Sequence, residues 1–278
     1  MATKSRRGRK DAPGLAATAD RHDLYERSVQ DGSSDVDFLE RVWHEVYGDR
    51  SHPVHFREDF CGTALLCSHW VKRSSERTAE GFDIDEATLE WGRENNLAPI
   101  GDAAQRVKLH ARDVREPGER PADVLCAQNF SYQCFHERRE LADYLRKTRQ
   151  HLSENGVLVL DIFGGSEAVE EVREEREIED GAFTYVWEQK SFHPATNHIE
   201  CRIHFEFPDG SRIKNAFRYS WRRYSIPELR DILHEVGFRE VRTYFEEFDE
   251  DGDGTGHFAR DEEGETCEGW LSYLVAVP

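Results

Sequence analysis

The sequence predicts an α/β protein: a doubly wound parallel sheet that receives an antiparallel β insertion before it is completed. Three observations carry this reading. Between about residues 54 and 163, short apolar runs alternate with helix-period segments, the pattern of parallel strands joined by crossover helices. Over residues 183–222, three alternating runs follow one another with only short turns between them, as in an antiparallel meander. Over residues 225–278, a capped helix and two further strand patterns close the chain.

A chain of 278 residues can bury about 75% of its unfolded surface, enough for one large domain with an insertion. It has no run of 18 or more apolar residues, and its basic start lacks the apolar stretch of a secretory signal, so a soluble, cytoplasmic protein is expected. The cysteines at 61, 67, 126, 134, 201 and 267 form no C-x-x-C pair and no zinc-ligand ladder; reduced thiols and no metal site are expected. A formal net charge of -19 opposes a phosphate backbone and disfavours bulk nucleic-acid binding. Residues 1–20 mix charges with Gly, Pro and Ala without periodicity and are expected to be a disordered basic tail.

The core is expected over 21–182. Tyr25 lies ahead of the first amphipathic helix, as a core anchor or as part of a lid. Phe38, Leu39, Val42, Trp43, Val46 and Tyr47 make one helical stripe, which Gly48 ends. The stretch 54–66 reads as a strand, a small-residue turn and the start of a helix, the place where an open α/β sheet receives a nucleotide-like ligand. A second strand over 79–85 carries Asp83, 21 residues past Gly62, and this spacing suits a strand-end carboxylate that accepts hydrogen bonds from a ribose. A third strand pattern, 107–114, also ends in a carboxylate, Asp113, and a fourth, 122–130, is more continuously apolar. Leu141, Tyr144, Leu145, Thr148 and Leu152 then share a helical face, and Asn155 with Gly156 ends that helix before a buried strand over 157–163.

In the insertion, 183–222, the expected strands are 183–192, 198–207 and 211–222. Ile199, Cys201, Ile203, Phe205 and Phe207 share one face of the middle strand. Tyr185 and Trp187 share a parity on the first strand, and Phe217, Tyr219 and Trp221 share one on the third; they form a core stripe or a box for a cationic or planar ligand. Residues 223–278 complete the core: Ser225, Pro227 and Glu228 open a helix that runs to Gly237, and strands over 238–248 and 270–277 pair across an acidic connection of about 20 residues. Asp249, Asp251 and Asp253 imitate the first half of a calcium loop. Its twelfth position is Arg260, however, and a strand pattern precedes it, so a solvated loop is expected.

Glu58, Asp59, Phe60, Cys61, Gly62, Thr63 and Ala64, then Gly81, Phe82 and Asp83, then Arg112, Asp113 and Val114, then Asn155, Gly156, Val157 and Leu158, together resemble the class I S-adenosylmethionine-dependent methyltransferases. The resemblance is best over 50–165. It implies a Rossmann-like, doubly wound, seven-stranded sheet whose last strand is antiparallel, with the insertion acting as a substrate cap. Glu58 takes the family's acidic position and Gly62 its central glycine, while Phe60 and Ala64 replace the outer two glycines. The implied cofactor is S-adenosyl-L-methionine, with S-adenosyl-L-homocysteine as product. By the same resemblance the turn of Phe60, Cys61, Gly62, Thr63 and Ala64 lines the methionine part. Asp83 holds the ribose, Asp113 accepts from the adenine amino group, Ile84 and Val114 flank the ring, and Asn129 lies beside the methionine; Tyr25 and Glu58 complete the set. A single glycine suits a cofactor without phosphate, whereas a pyrophosphate needs close backbone approach along a richer glycine turn.

The implied function is in-line transfer of a methyl group to nitrogen or oxygen of a small molecule, a reaction that positioning can drive without a dedicated base. Asn129, Phe130, Ser131 and Tyr132 resemble the N-P-P-Y of nucleic-acid amino methyltransferases without its prolines. Tyr132 could orient a nucleophile and His136 could take its proton, or both could be packing residues. The candidate acceptor-binding residues are Ser131, Tyr185, Trp187, Arg202, Tyr219 and Trp221. Protein or RNA methylation, and a non-catalytic S-adenosylmethionine-binding interaction protein, stay open as alternatives, and the chain is compatible with a homo-oligomer.

Overall fold

The structure is a computed structural model and describes residues 13–249, 252 and 254–278. Residues 13–20, expected to be disordered, are ordered. Leu15–Ala17 forms a 3-10 turn in which the Leu15 N–H donates to Asp209 Oδ2 at 2.7 Å and the Ala16 N–H to Ser211 Oγ at 3.0 Å. The turn of the insertion thus supplies the acceptors that the segment lacks by itself. The rest of the basic tail, 1–12, lies outside the described residues.

Two capped helices open the core. Asp20 accepts from the His22 and Asp23 N–H groups at the start of α1 (Arg21–Val29), and Asp31 does the same for Ser33 and Ser34 at the start of α2 (Gly32–Tyr47). The stripe of Phe38, Leu39, Val42 and Trp43 is buried, and Gly48 leaves α2 with φ 78°. Strands and helices then alternate as β1 (His55–Asp59), α3 (Leu65–Lys72), β2 (Thr78–Asp83), α4 (Glu86–Gly92), β3 (Val107–Ala111), β4 (Ala122–Ala127), α5 (Arg138–His151) and β5 (Leu152–Gly164). A four-stranded antiparallel sheet follows: β6 (Val172–Ile178), β7 (Phe183–His193), β8 (His198–Glu206) and β9 (Arg212–Arg222). The chain returns through α6 (Ile226–Glu235) to β10 (Glu240–Phe248), β11 (Gly254–Arg260) and β12 (Trp270–Val277). No helix among the described residues is long and apolar enough to cross a membrane.

The large sheet has the order β11, β10, β12, β5, β4, β1, β2, β3, with β12 antiparallel to both of its neighbours. The order reverses between β1 and β4, so a crevice opens outside their carboxyl ends. One face of the sheet packs on α2 and α3 through Val42, Trp43, Phe56 and Trp70. The other packs on α5 and α6 through Leu141, Leu145, Leu229 and Leu233.

Two strands depart from the expectation. Among the described residues the sheet has eight strands where seven are expected, because residues 254–260 of the supposed acidic loop pair antiparallel with β10 as the edge strand β11. Gly254, Thr255, Gly256 and His257 show no apolar alternation, but an edge strand is held by its backbone and needs none. Of the calcium-like triplet, Asp251 and Asp253 lie outside the described residues; Arg260 sits in β11 facing Glu240 and Glu262. Likewise the antiparallel unit begins at β6, before residue 183. Only Val172 and Ile178 are apolar in that strand, yet it pairs with β7 along its whole length.

Helix α4 approaches the turn after β1 so closely that a Cβ on Gly92 would lie 2.3 Å from the Thr63 carbonyl oxygen. Gly92→Ala is expected to lower stability by about 1–3 kcal/mol through overpacking, measured as the shift of the urea unfolding curve.

Candidate functional site

Two turns at the point where the strand order reverses are held in backbone conformations that side chains disfavour. After β1, Phe60, Gly62 and Ala64 take φ values of 59°, 51° and 58°. Phe60 and Ala64 thus keep the glycine-like backbone without being glycine, at a cost of roughly 1–2 kcal/mol each. After β4, Asn129 and Phe130 take φ values of 55° and 58°, and the Phe130 N–H donates to Asp161 Oδ1 at 2.9 Å from the neighbouring strand β5. Strain of this kind persists where surrounding structure fixes it, and it gathers at functional sites.

A cavity of about 510 Å³ lies against both turns. Of the expected cofactor residues, Tyr25, Glu58, Phe60, Cys61, Gly62, Thr63, Asp83 and Asn129 line it, as does Ser131. The Gly62 N–H donates to Asp83 Oδ2 at 3.0 Å and the Asp85 N–H to Asp83 Oδ1 at 2.9 Å, so the carboxylate of β2 is fixed against the turn. Glu58 Oε2 accepts from the Cys67 N–H at 3.3 Å and its thiol at 3.2 Å, and burial pushes the Glu58 carboxyl up to about 8. Helix α1 is latched over the turn: Glu26 accepts from the Thr63 hydroxyl and, at 2.7 Å, from Asn96 Nδ2, which also donates to the Thr63 carbonyl at 3.0 Å.

The other expected cofactor residues lie elsewhere. Ala64 is buried behind the turn. Ile84 is 80% exposed beside Asp83 and does not line the cavity. Asp113 is engaged by Arg115, whose N–H, Nε and Nη2 donate to it at 2.8, 2.9 and 2.6 Å, and Val114 packs into the core.

A second cavity of about 950 Å³ lies between the core and the antiparallel sheet. Tyr185, Trp187, Tyr219 and Trp221 line it, so the shared parity does bring these rings to one wall. Tyr219 stacks on Trp221 with ring centroids 4.5 Å apart, and Trp187 lies 6.0 Å from Trp221. The two cavities share Tyr25, Gln30, Gln128, Asn129 and Tyr219. At this junction the buried Gln128 Nε2 and Gln30 Oε1 have no hydrogen-bond partner among the described residues. Both suit a ligand that brings polar atoms of its own.

Three sequence candidates lie away from both cavities. Tyr132 is fully buried with its hydroxyl donating to the Asp161 carbonyl at 2.8 Å, and it lines neither cavity. The left-handed pair before it turns the chain so that the ring enters the core on the α5 side. His136 Nε2 donates to the Ser220 carbonyl at 2.8 Å and its ring packs on His198 at 4.5 Å, outside both cavities. Arg202 alternates with the inward Cys201 and Ile203, so it points outward, 4.0 Å from Glu188 and Glu200. Residues missed by the sequence reading are Gln30, Gln128, Asp35 and Asp161. Asp161 had a usable signal, since it is a carboxylate at the end of an apolar run, like Asp83.

Replacing Ala64 by Gly usually costs an unfolded-state entropy penalty, but here it removes the left-handed strain; a gain of about 0.5–1 kcal/mol is expected in urea unfolding. Glu58 yields a pH prediction. Its folded-state pKa is raised from 4.5 to about 8, so its contribution to stability is fully present below 4.5 and is lost as pH rises through 8. Glu58→Gln is therefore expected to gain roughly 1–3 kcal/mol over the unsubstituted protein between mildly acidic and mildly alkaline pH, read from urea midpoints across that range.

No protein-family model and no curated protein matches the chain. Solved structures do. An S-adenosylmethionine-dependent methyltransferase from Clostridium acetobutylicum ATCC 824 aligns over 92% of this chain and 97% of its own, with 18% identity and a TM-score of 0.64. The sugar N-methyltransferase KedS8 from Streptoalloteichus sp ATCC 53650 aligns over 100% and 98%, with 18% identity and a TM-score of 0.62. CalS10, an amino pentose methyltransferase from Micromonospora echinaspora with S-adenosylmethionine bound, aligns over 98% and 100%, with 13% identity and a TM-score of 0.64. With the reversal between β1 and β4 and the antiparallel β12, these likenesses show that the chain has the class I S-adenosylmethionine-dependent methyltransferase fold, with an antiparallel β insertion.

Proposed function

We propose that the protein is an S-adenosylmethionine-dependent methyltransferase acting on nitrogen or oxygen of a small molecule. The observation that carries this is the meeting of two cavities at Tyr25, Gln30, Gln128, Asn129 and Tyr219, one against the strained turn after β1 and one under the antiparallel sheet. A group-transfer enzyme needs two ligands placed end to end, and two cavities that adjoin at shared residues support that reading. The names of the similar structures support a small acceptor: a sugar N-methyltransferase and an amino pentose methyltransferase are among them.

The smaller cavity fits the cofactor. Its volume lies in the range of small-molecule sites, the turn is open at Gly62, where a Cβ would meet only Thr88 Cγ2 at 4.0 Å, and Asp83 presents a carboxylate at the end of β2. Gly62 and its neighbours would hold the methionine part and Asp83 the ribose. Bound there, S-adenosyl-L-methionine supplies an electrophilic methyl group and leaves as S-adenosyl-L-homocysteine. The chain's part is to hold both ligands: α1, latched through Glu26 to Thr63 and Asn96, brings Tyr25 to the junction.

Calorimetric titration tests the reading. S-adenosyl-L-homocysteine is expected to bind, and Asp83→Ala to weaken it about tenfold or more, the worth of a lost charge-assisted hydrogen bond. Absence of binding to the unsubstituted protein would sink the proposal.

A further inference from the structure

We infer that the larger cavity takes a small cationic amine with a neighbouring oxygen, and that Asp161 is the acceptor of the ammonium proton. The inference rests on the methyltransferase reading and narrows its acceptor to nitrogen.

Charge is the first ground. Among the described residues the cavity is lined by seven carboxylate residues and two arginines, Arg27 and Arg176, with no lysine or histidine. Both arginines are already engaged: Arg27 pairs with Asp23 and Glu179, and Arg176 donates to the Ser28 carbonyl and lies over the Tyr185 ring at 5.5 Å. Of the carboxylates, Asp31 caps α2 and Glu175 pairs with Arg173, which leaves Asp35, Asp161, Glu167, Glu174 and Glu268; this excess favours a cation over an anionic acceptor. Aromatic surface is the second ground. Trp187, Tyr219 and Trp221 pack ring against ring along one wall, and aromatic faces attract a desolvated ammonium. The third is unspent hydrogen bonding. Gln128, 8% exposed, keeps a buried Nε2 without a partner among the described residues, a donor suited to an oxygen close to the amine.

Asp161 is the carboxylate best placed to receive a proton. It is 5% exposed, lines this cavity, and accepts from Phe130 N–H at the turn that carries Asn129 into the junction. Burial raises its carboxyl to about 7, so near neutrality it can exchange a proton with a bound ammonium. In that exchange the N–H bond breaks, its electron pair stays on nitrogen as the lone pair, and the carboxylate becomes the neutral acid. The amine is then a nucleophile.

Tryptophan fluorescence of the full chain saturated with S-adenosyl-L-homocysteine, near neutral pH, tests this with trans-2-aminocyclohexanol and trans-1,2-cyclohexanediol as matched probes. The amine is expected to bind about tenfold more tightly than the diol. Asp161→Asn, which keeps an acceptor for the Phe130 N–H, is expected to remove about that factor for the amine and to leave the diol and S-adenosyl-L-homocysteine within about twofold. Equal affinity of the two probes, no binding of the amine, or an unchanged amine affinity in Asp161→Asn overturns the inference while the methyltransferase reading stands. If Asp161→Asn no longer binds S-adenosyl-L-homocysteine, the comparison of amine and diol on the unsubstituted protein decides, and equal affinity there overturns the inference. Failure of S-adenosyl-L-homocysteine to bind the unsubstituted protein overturns both.

Discussion

The hydrogen bond from the Phe130 N–H to Asp161 joins the carboxyl ends of β4 and β5 and holds Asn129 and Phe130 in left-handed backbone. Without an acceptor there, a turn with two consecutive side-chain-bearing residues at positive φ would relax. The same turn places Asn129 at the junction of the cavities and sends Tyr132 into the core, where its hydroxyl donates to the Asp161 carbonyl. One residue thus anchors the turn through both its side chain and its backbone. The turn after β1 is fixed from the outside instead, by Gly92 behind Thr63 and by Asp83 on the Gly62 N–H.

The antiparallel sheet is coupled to these turns by a single strand face. On β9, Phe217 lines the smaller cavity, Tyr219 lines both and Trp221 lines the larger. Alternate residues advance about 6.6 Å along a strand, so this face spans about 13 Å from one cavity into the other. Helix α1 meets it from the opposite side, with the Tyr25 ring 4.9 Å from Phe217. A change of side chain at 221 alters the acceptor space alone, whereas one at 219 touches both ligands of the proposed reaction.

The legible parts of the fold are those in which burial dictates sequence. Strands β4 and β5 are enclosed by helices on both faces and carry apolar runs, and the meander from β7 to β9 reads by alternation against one core. Strands β1 and β2 bury His55, Arg57, Glu58, Asp59 and Glu80 and are marked instead by the turn after β1 and the carboxylate that ends β2. Strands β6 and β11 were not legible, because an edge held by backbone hydrogen bonds leaves almost no mark on side-chain choice. At the site, residue type and strand-end position pointed to Asp83 and to the turn at 60–64. They could not give direction. Tyr132 and His136 sit next to the right turn in sequence, but two positive-φ residues rotate the chain between them and the cavity. Asp161 escaped notice because, unlike Asp83, it follows no glycine at a recognisable spacing.

The acidity of the interior is costly in isolation. Burial raises Glu58 to about 8 and both Asp35 and Asp161 to about 7, and each of Glu58 and Asp161 is raised further by the charge of Asp35. Carboxyl groups kept half-neutral beside one another are a poor way to stabilise a fold, since protonation or a cation must relieve them. The acceptor proposed for the larger cavity is a cation, an ammonium beside Asp161. Its charge offsets that of the neighbouring carboxylates on arrival, and once the proton has passed to Asp161 the amine and the acid are both neutral. Relief of burial and of the Asp35 charge is then one source of affinity for a cation, shared between α2, where Asp35 resides, and β5, where Asp161 resides.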